Sequence, residues 1–318
     1  MRTVRTQTAV FTPLADEVLR GFGSTPKRLP PKLFYDEQGS HLFEQITELP
    51  EYYLTRTERT IFQQYAGEIL EQAGSNLTLV ELGAGSASKT RVLVEALARR
   101  QLRVGFYPVD VSSSALKQAV STLNGHIRNL HVHPIVADYS HRVPVLKTPG
   151  RKLVLFIGST IGNFEPDEAV RFLTSIRSSL EPGDALLLGF DMVKDAALLH
   201  AAYNDAQGIT ADFNKNMLAR INRELGGEFD LAMFKHVAFW NPQMFRIEMH
   251  LESLVDQRIL IRDLGLAFNF SSGERIHTEN SYKFTTSSIA ALLHQSGFHL
   301  EKTWTDPQGW FSTVMGRV

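Results

Sequence analysis

From residue 77 to residue 189, short and nearly unbroken apolar runs alternate with segments whose apolar residues recur every three or four positions. Runs of the first kind read as strands buried on both faces, and segments of the second kind as helices with one apolar stripe. The pattern predicts strands over 77–82, 104–109, 131–136, 153–157 and 185–189, with helices near 89–99, 115–123 and 166–180 between them. Ser112, Ser113 and Ser114 are cap candidates ahead of the second helix, and Asp167 and Glu168 suit the positive end of the third. Strands and helices alternating in this way imply the α/β class, with a parallel sheet covered on both faces.

The flanks have a different texture. Residues 14–22 form a short amphipathic pattern ended by Pro26, Pro30 and Pro31, and residues 40–47 place Leu42, Phe43 and Ile46 on one helical face. After Pro50 a long helical pattern covers 55–73. Beyond the fifth strand, 196–224 reads as helix, while 228–270 alternates polar and apolar residues as antiparallel strands do, for example Phe245-Arg246-Ile247-Glu248-Met249-His250-Leu251. A helix over 287–296, a strand over 298–304, a turn at 306–309 and a strand over 310–318 would then add an antiparallel edge to the sheet.

Composition narrows the function classes. The 318 residues are 43% hydrophobic and 21% charged, a globular balance with length for one large domain or two ordinary ones. A formal net charge of −1 supplies no general attraction for nucleic acid or an anionic membrane. With no cysteine, disulfides, thiolate zinc sites and cysteine nucleophiles are excluded. The apolar runs are strand-sized, too short for a signal peptide or a membrane span, so a cytoplasmic location is expected. His131 and His133 are spaced as a strand pair and no HExxH motif occurs, so no metal is expected.

The first predicted strand runs into Glu81-Leu82-Gly83-Ala84-Gly85-Ser86, the strand-to-helix turn at which open α/β sheets bind nucleotides. Gly83 and Gly85 allow a positive φ and a close ligand approach. Dinucleotide binding asks for a third glycine where Ser88 stands, and a phosphate-binding loop asks for glycine at that same place before Lys89-Thr90. S-adenosylmethionine (SAM) needs fewer glycines, because it has no pyrophosphate to seat. Asp110 ends the second strand, where a carboxylate can accept from both ribose hydroxyls, and Asp138-Tyr139 follows the third, placed for an adenine amino group and its ring. Either aspartate alone is also an ordinary cap or turn residue; the loop and both aspartates in register point to SAM.

Several further segments together resemble one family. They are Leu33-Phe34-Tyr35-Asp36, Leu49-Pro50-Glu51-Tyr52-Tyr53-Leu54-Thr55-Arg56-Thr57-Glu58, the glycine loop through Thr90, Gly158-Ser159-Thr160-Ile161-Gly162-Asn163, Tyr203-Asn204-Asp205, Phe213-Asn214 and Glu279-Asn280-Ser281-Tyr282-Lys283-Phe284. The chain resembles, from about residue 25 onward, the histidine Nα-methyltransferases of ergothioneine biosynthesis, which convert L-histidine to its trimethylammonium betaine, hercynine. It departs from the family pattern at Tyr139, where some members carry phenylalanine, at Thr55, where proline is common, and at Asn280, where some have an apolar residue.

The resemblance implies a Rossmann-like class I SAM methyltransferase core, over 59–195 and 287–318, with a second mixed α+β substrate-binding domain over 1–58 and 196–286. It implies SAM contacts at Gly83, Gly85, Lys89, Asp110, Asp138 and Tyr139. It implies that Asn163 and Tyr203 hold the amino-acid end of the substrate and that Tyr52, Glu279 and Ser281 read its imidazole. Tyr35 and Met249 complete the substrate-binding positions, and Asn163 and Tyr52 carry the catalytic role. The residue chemistry agrees: Glu279 can accept from one ring N–H, while Ser281 and Tyr52 serve whichever tautomer is present. An indole or phenyl ring would deny a buried Glu279 that partner, at about 1–3 kcal/mol or more. An enzyme for another amino acid or an indole-type amine would not need Glu279 and Ser281, and a non-catalytic SAM-fold partner protein would not need Gly83, Asp110, Asp138 and Asn163. No histidine or lysine stands out as a base, which leaves proton loss to solvent, through Tyr52 or through water on Asn163. The expected partner is a small amino-acid substrate, and the expected state a monomer.

Overall fold

The structure, a computed structural model, describes residues 12–123, 127–139, 144 and 147–318. Helices α1 (Pro13–Phe22), α2 (Glu37–Glu48) and α3 (Leu54–Ala73) precede strand β1 (Leu77–Leu82). Next come α4 (Arg91–Ala98), β2 (Val104–Asp110), α5 (Ser113–Leu123), β3 (Leu130–Val132), β4 (Ile135–Val136), β5 (Arg151–Phe156), α6 (Pro166–Ser178) and β6 (Ala185–Asp191). Helices α7 (Ala196–Tyr203) and α8 (Ile209–Leu225) lead to β7 (Phe234–Asn241), β8 (Arg246–Ser253), β9 (Gln257–Ile261), β10 (Leu266–Phe270) and β11 (Arg275–Tyr282). Helix α9 (Thr286–Gln295) and strands β12 (His299–Thr305) and β13 (Phe311–Arg317) follow.

The chain divides into two compact units, one of residues 35–210, 238–248 and 280–318, the other of residues up to 34, 211–237 and 249–279. The first is built on a sheet of order β12-β13-β6-β5-β1-β2-β3, with β4 also paired to β2. β1 runs parallel to β2 and β5, and β5 parallel to β6, while β13 lies antiparallel to β6 and to β12. The α/β class and the antiparallel edge expected from the sequence are therefore both present. Successive residues of a strand face opposite ways: Leu79, Leu153 and Leu155 pack with α3 and α4, while Val80, Val154 and Phe156 pack with α6 and α9. Runs that are apolar throughout are what such a two-sided core requires.

Two elements differ from the sequence expectation. The strand expected over 131–136 is broken in two, because Pro134 has no N–H to continue the ladder, although His133 still donates to the Phe106 carbonyl at 2.8 Å. The helix expected over 196–224 is also interrupted. Gly208 takes a φ of 77°, and the Asp205 carboxylate accepts from the N–H groups of Ile209 and Thr210 at 2.9 and 2.8 Å, starting α8 afresh.

The second unit contains α1, most of α8 and the antiparallel pair β9–β10. Its interior is aromatic: Phe22 meets Phe229, Phe268 and Phe270 at ring distances of 5.8, 5.3 and 5.6 Å, and Phe34 stacks on Phe213 at 4.4 Å. Strands β7, β8 and β11 form a three-stranded sheet in the order β11-β8-β7. The expected division by role puts 35–58, 196–210, 238–248 and 280–286 with the substrate-binding part, whereas by compactness these segments group with the large sheet.

Candidate active site

The loop after β1 is held against the end of β2. The N–H groups of Gly83 and Ala84 donate to the Val109 carbonyl at 2.8 and 3.2 Å. Gly83 and Gly85 have φ of 74° and 52°, where a β-carbon is penalised. A β-carbon on Gly83 would also stand 2.5 Å from the Tyr139 hydroxyl, whereas one on Gly85 would meet nothing within 4 Å, so the backbone there is open to a ligand. Asp110, at the end of β2, accepts from Gly85 N–H at 2.9 Å and from Ser112 N–H at 2.8 Å, one bond on each carboxylate oxygen. Each oxygen retains acceptor capacity. Burial pushes the Asp110 carboxyl above its ordinary range, against the pull of the backbone N–H groups around it. Val136 pairs with Asp110, and Ala137 N–H donates to the Asp110 carbonyl at 3.0 Å, which brings the Asp138-Tyr139 corner beside it. The Tyr139 ring lies 6.1 Å from both Phe156 and Phe172, and Asp138 is exposed.

Lys89 is tied down differently. Its ammonium pairs with the Glu58 carboxylate at 2.7 Å, and Glu58, wholly buried on α3, also accepts from Gly158 N–H at 2.9 and 3.0 Å. Glu58 thus joins the loops after β1 and β5. Thr55, one turn earlier, is the second residue of α3, a position without an intrahelical N–H partner, so proline and threonine are both accommodated. Glu81, the acid opening the glycine loop, accepts from the Thr90 hydroxyl at 2.6 Å, while its Oε2 is buried with no partner among the described residues. Burial lifts its pKa to about 8.

The loop after β5 carries Asn163 at the end of a short 3₁₀ turn, Thr160–Asn163, and its side chain is half-buried. Two residues on, Glu165 accepts from Asn280 Nδ2 at 2.8 Å, from the Tyr282 hydroxyl at 2.6 Å and from Arg246 at 3.1 Å. The departure at Asn280 therefore has a partner, the Glu165 carboxylate. Ser281, between Asn280 and Tyr282, points to the opposite face of β11. There its hydroxyl meets that of Tyr203 at 2.7 Å, and Lys283 donates to both, at 2.8 and 2.9 Å. The Tyr203 ring lies 6.4 Å from that of Tyr52, Tyr52 lies 6.3 Å from Phe43, and Phe43 lies 5.7 Å from Tyr35.

Behind Lys283 stands Asp191, fully buried at the end of β6. It pairs with Lys283 at 2.8 Å and with Lys194, and both of its oxygens accept from the Tyr53 hydroxyl at 2.8 Å. Burial, with Asp191 alongside, pushes the Tyr53 hydroxyl far above its ordinary range. Burial also pulls Lys194 down to about 8, against the attraction of Asp191.

Of the residues singled out in the sequence, Gly83, Gly85, Asp110, Asp138 and Tyr139 gather at one strand-end corner, with Lys89 held next to it by Glu58. Tyr35, Tyr52, Tyr203 and Ser281 form a second group. Met249 and Glu279, both buried, belong to the other compact unit; Glu279 lies two residues before Ser281 on the same strand. The sequence reading left Tyr53, Glu58, Lys283 and Asp191 without roles. The first three lie inside the segments that carry the family resemblance, and Asp191 ends its strand as Asp110 does, which was the available signal.

A family profile described as a histidine-specific, SAM-dependent methyltransferase matches residues 14–318. The chain is 44% identical over 298 residues to a histidine N-alpha-methyltransferase of Mycolicibacterium smegmatis, covering 94% of this chain and 92% of that one. It is 43% identical, with the same shares covered, to a histidine N-alpha-methyltransferase of Mycobacterium tuberculosis. It is 31% identical to ergothioneine biosynthesis protein 1 of Neurospora crassa, over 88% of this chain and 32% of that protein. Among solved structures, a SAM-dependent methyltransferase from Clostridium acetobutylicum matches with a TM-score of 0.48 at 12% identity, over 87% of this chain and 97% of that one.

Proposed function

The chain belongs to the histidine-specific, SAM-dependent methyltransferases, and from that premise we propose that it adds three methyl groups to the α-nitrogen of L-histidine, making hercynine for ergothioneine biosynthesis. The observation that carries this reading is similarity over nearly the whole chain to enzymes named for histidine Nα-methylation.

The strand-end corner has the features SAM requires: an open backbone at Gly85, a buried carboxylate with spare acceptor capacity at Asp110, and an aromatic ring at Tyr139. We assign SAM binding to Gly83, Gly85, Lys89, Asp110, Asp138 and Tyr139. When bound, SAM supplies a methyl group on a positively charged sulfur that is already activated for displacement. The chain's own task is alignment and proximity, which are worth several kcal/mol when two reactants are held in line.

Substrate binding is assigned to Tyr35, Tyr52, Asn163, Tyr203, Met249, Glu279 and Ser281, with Asn163 and Tyr52 as the catalytic pair beside the amine. The Asn163 carboxamide offers a carbonyl acceptor for the amine hydrogens and so orients the nitrogen lone pair. The amine must be neutral before each transfer, and its proton leaves to solvent, through the Tyr52 hydroxyl or through water on Asn163. By role, residues 59–195 and 287–318 serve SAM, and residues 1–58 and 196–286 serve the substrate. The protein acts as a cytoplasmic monomer on a small molecule, without nucleic acid or membrane.

The test is incubation with SAM and a panel of amino acids, followed by mass spectrometry for products carrying one, two and three added methyl groups. Histidine is expected to give the trimethylated product. No product from histidine, with methylation of another amine, would overturn the substrate and leave the methyltransferase assignment standing.

A further inference from the structure

The turn that carries Asn163 is fixed on three sides. Just before it, a β-carbon on Gly162 would stand 2.8 Å from the Tyr282 carbonyl oxygen and 3.2 Å from the Tyr282 nitrogen, so the turn lies directly on the backbone of β11. Just after it, the Phe164 ring stacks on Phe172 of α6 at 4.9 Å. One residue further, a carboxylate oxygen of Glu165 accepts from Asn280 Nδ2 at 2.8 Å and from Arg246 at 3.1 Å, and the other accepts from the Tyr282 hydroxyl at 2.6 Å. The direction of that last bond is determined. A guanidinium only donates, so the contact of Arg246 with the Tyr282 hydroxyl at 2.7 Å makes the hydroxyl an acceptor, and its own hydrogen goes to Glu165. Burial and the bond to Glu165 push the Tyr282 hydroxyl up to about 12, so it keeps this hydrogen at neutral pH. Glu248 accepts from Arg246 Nε at 2.9 Å and holds the guanidinium in place.

We propose that Glu165 is a positioning residue for methyl transfer: through Asn280, Tyr282 and Arg246 it locks the Asn163 turn onto β11 and so sets the place of the Asn163 carboxamide relative to Ser281. The proposal rests on the histidine reading above and adds a residue that acts through Asn163. Ser281 lies between Asn280 and Tyr282 and points to the opposite face of the strand. One face of β11 therefore holds the group assigned to the amine, and the other carries a group assigned to the imidazole. Their spacing fixes where the α-nitrogen lies against the methyl donor, and a displacement of about 1 Å can cost roughly 100-fold in rate. Stability does not account for the arrangement. The Glu165 side chain is half-exposed, and ion pairs at such sites add little to stability. Three donors converging on one exposed carboxylate supply a defined geometry instead.

The experiment measures single-turnover methyl transfer to histidine, SAM binding by calorimetry and urea denaturation on the full chain. It compares the unaltered protein with Glu165→Ala and with a double variant, Asn280→Leu and Tyr282→Phe. The double variant removes two of the donors and leaves Glu165 at the N-cap position of α6. Both are expected to lower the single-turnover rate about 10-fold, with SAM affinity changed less than about threefold and an unchanged denaturant midpoint. Combining them should cost no more than about threefold beyond either alone, because both break one lock. Adding Glu165→Ala to Asn163→Ala should likewise cost less than about threefold, because Glu165 acts through Asn163. An unchanged rate in both variants, or full additivity with Asn163→Ala, would overturn the role of Glu165. So would a loss of rate matched by an equal loss of SAM affinity. If Glu165→Ala fails to fold, the double variant decides by the same comparison of rate with SAM affinity. An unaltered protein that binds SAM but methylates no histidine would overturn the histidine reading, and this role with it.

Discussion

Glu81 shows how one side chain can be costly to the fold. Its carboxyl is buried, receives one hydrogen bond, from Thr90, and has its pKa raised from 4.5 to about 8 by desolvation. The unfolded chain gives up this proton near pH 4.5, and the folded chain keeps it to about pH 8. The folded form therefore binds more protons across that window, and stability falls as pH rises through it. A tenfold change in acidity corresponds to about 1.4 kcal/mol, so Glu81 alone should cost the protein at least ~2 kcal/mol between pH 5 and pH 8. Glu81→Gln keeps an acceptor for Thr90 and removes the charge. Urea denaturation at both pH values should show the variant losing most of that slope and exceeding the parent in stability at pH 8. Glu279 makes the opposite case, a buried acid assigned to the ligand rather than to the fold. Glu279→Ala should lower kcat/KM for histidine about 10- to 100-fold, the worth of a charged hydrogen bond, and leave SAM affinity unchanged. Equal loss of both would give Glu279 a structural role.

At the scale of elements, α3 does more than cover the sheet, since its Glu58 joins the loops after β1 and β5. That junction is tight. A β-carbon on Gly189 of β6 would collide with Glu58 Oε1 and approach Phe311 to 3.0 Å and the Gly158 nitrogen to 3.1 Å. Gly189→Ala should therefore destabilise the protein by about 1–3 kcal/mol through overpacking, read as a lower denaturant midpoint with unchanged slope. The strands were legible because Leu153-Val154-Leu155-Phe156 must be apolar throughout to serve both cores. The glycine loop and Asp110 were legible because both sit at strand ends, where the backbone fixes their neighbourhood. The break at residues 204–208 was hidden by a helical pattern that continues across it, with Asp205 and Gly208 as the only local marks. Tyr53, Asp191 and Lys283 each carried a local signal, but their grouping with Lys194 into one cluster was not legible. Its members are scattered along the chain, and only the order of β6 in the sheet and the path beyond β11 bring them together.

For the whole molecule, the two compact units are not two consecutive lengths of chain, because the backbone passes between them after residues 34, 210, 237, 248 and 279. Neither unit can be released by a single cut, and opening either one pulls on several segments of the other through the backbone. Heat is therefore expected to unfold the protein in one cooperative transition, although the glycine loop and Asp110 lie in only one unit. A ligand that binds only the folded form at a hundredfold its dissociation constant adds about 2.7 kcal/mol of stability. For a chain of this size that corresponds to a rise in Tm of about 4 °C. Scanning calorimetry with SAM should show a single peak moving up by that amount. In Gly83→Ala, where the added β-carbon adopts an unfavourable φ and crowds the Tyr139 hydroxyl, the shift should be lost. Two peaks with only one displaced by SAM would show that the units melt separately despite the shared backbone. A single peak that SAM displaces equally in Gly83→Ala would remove the glycine loop from the SAM site.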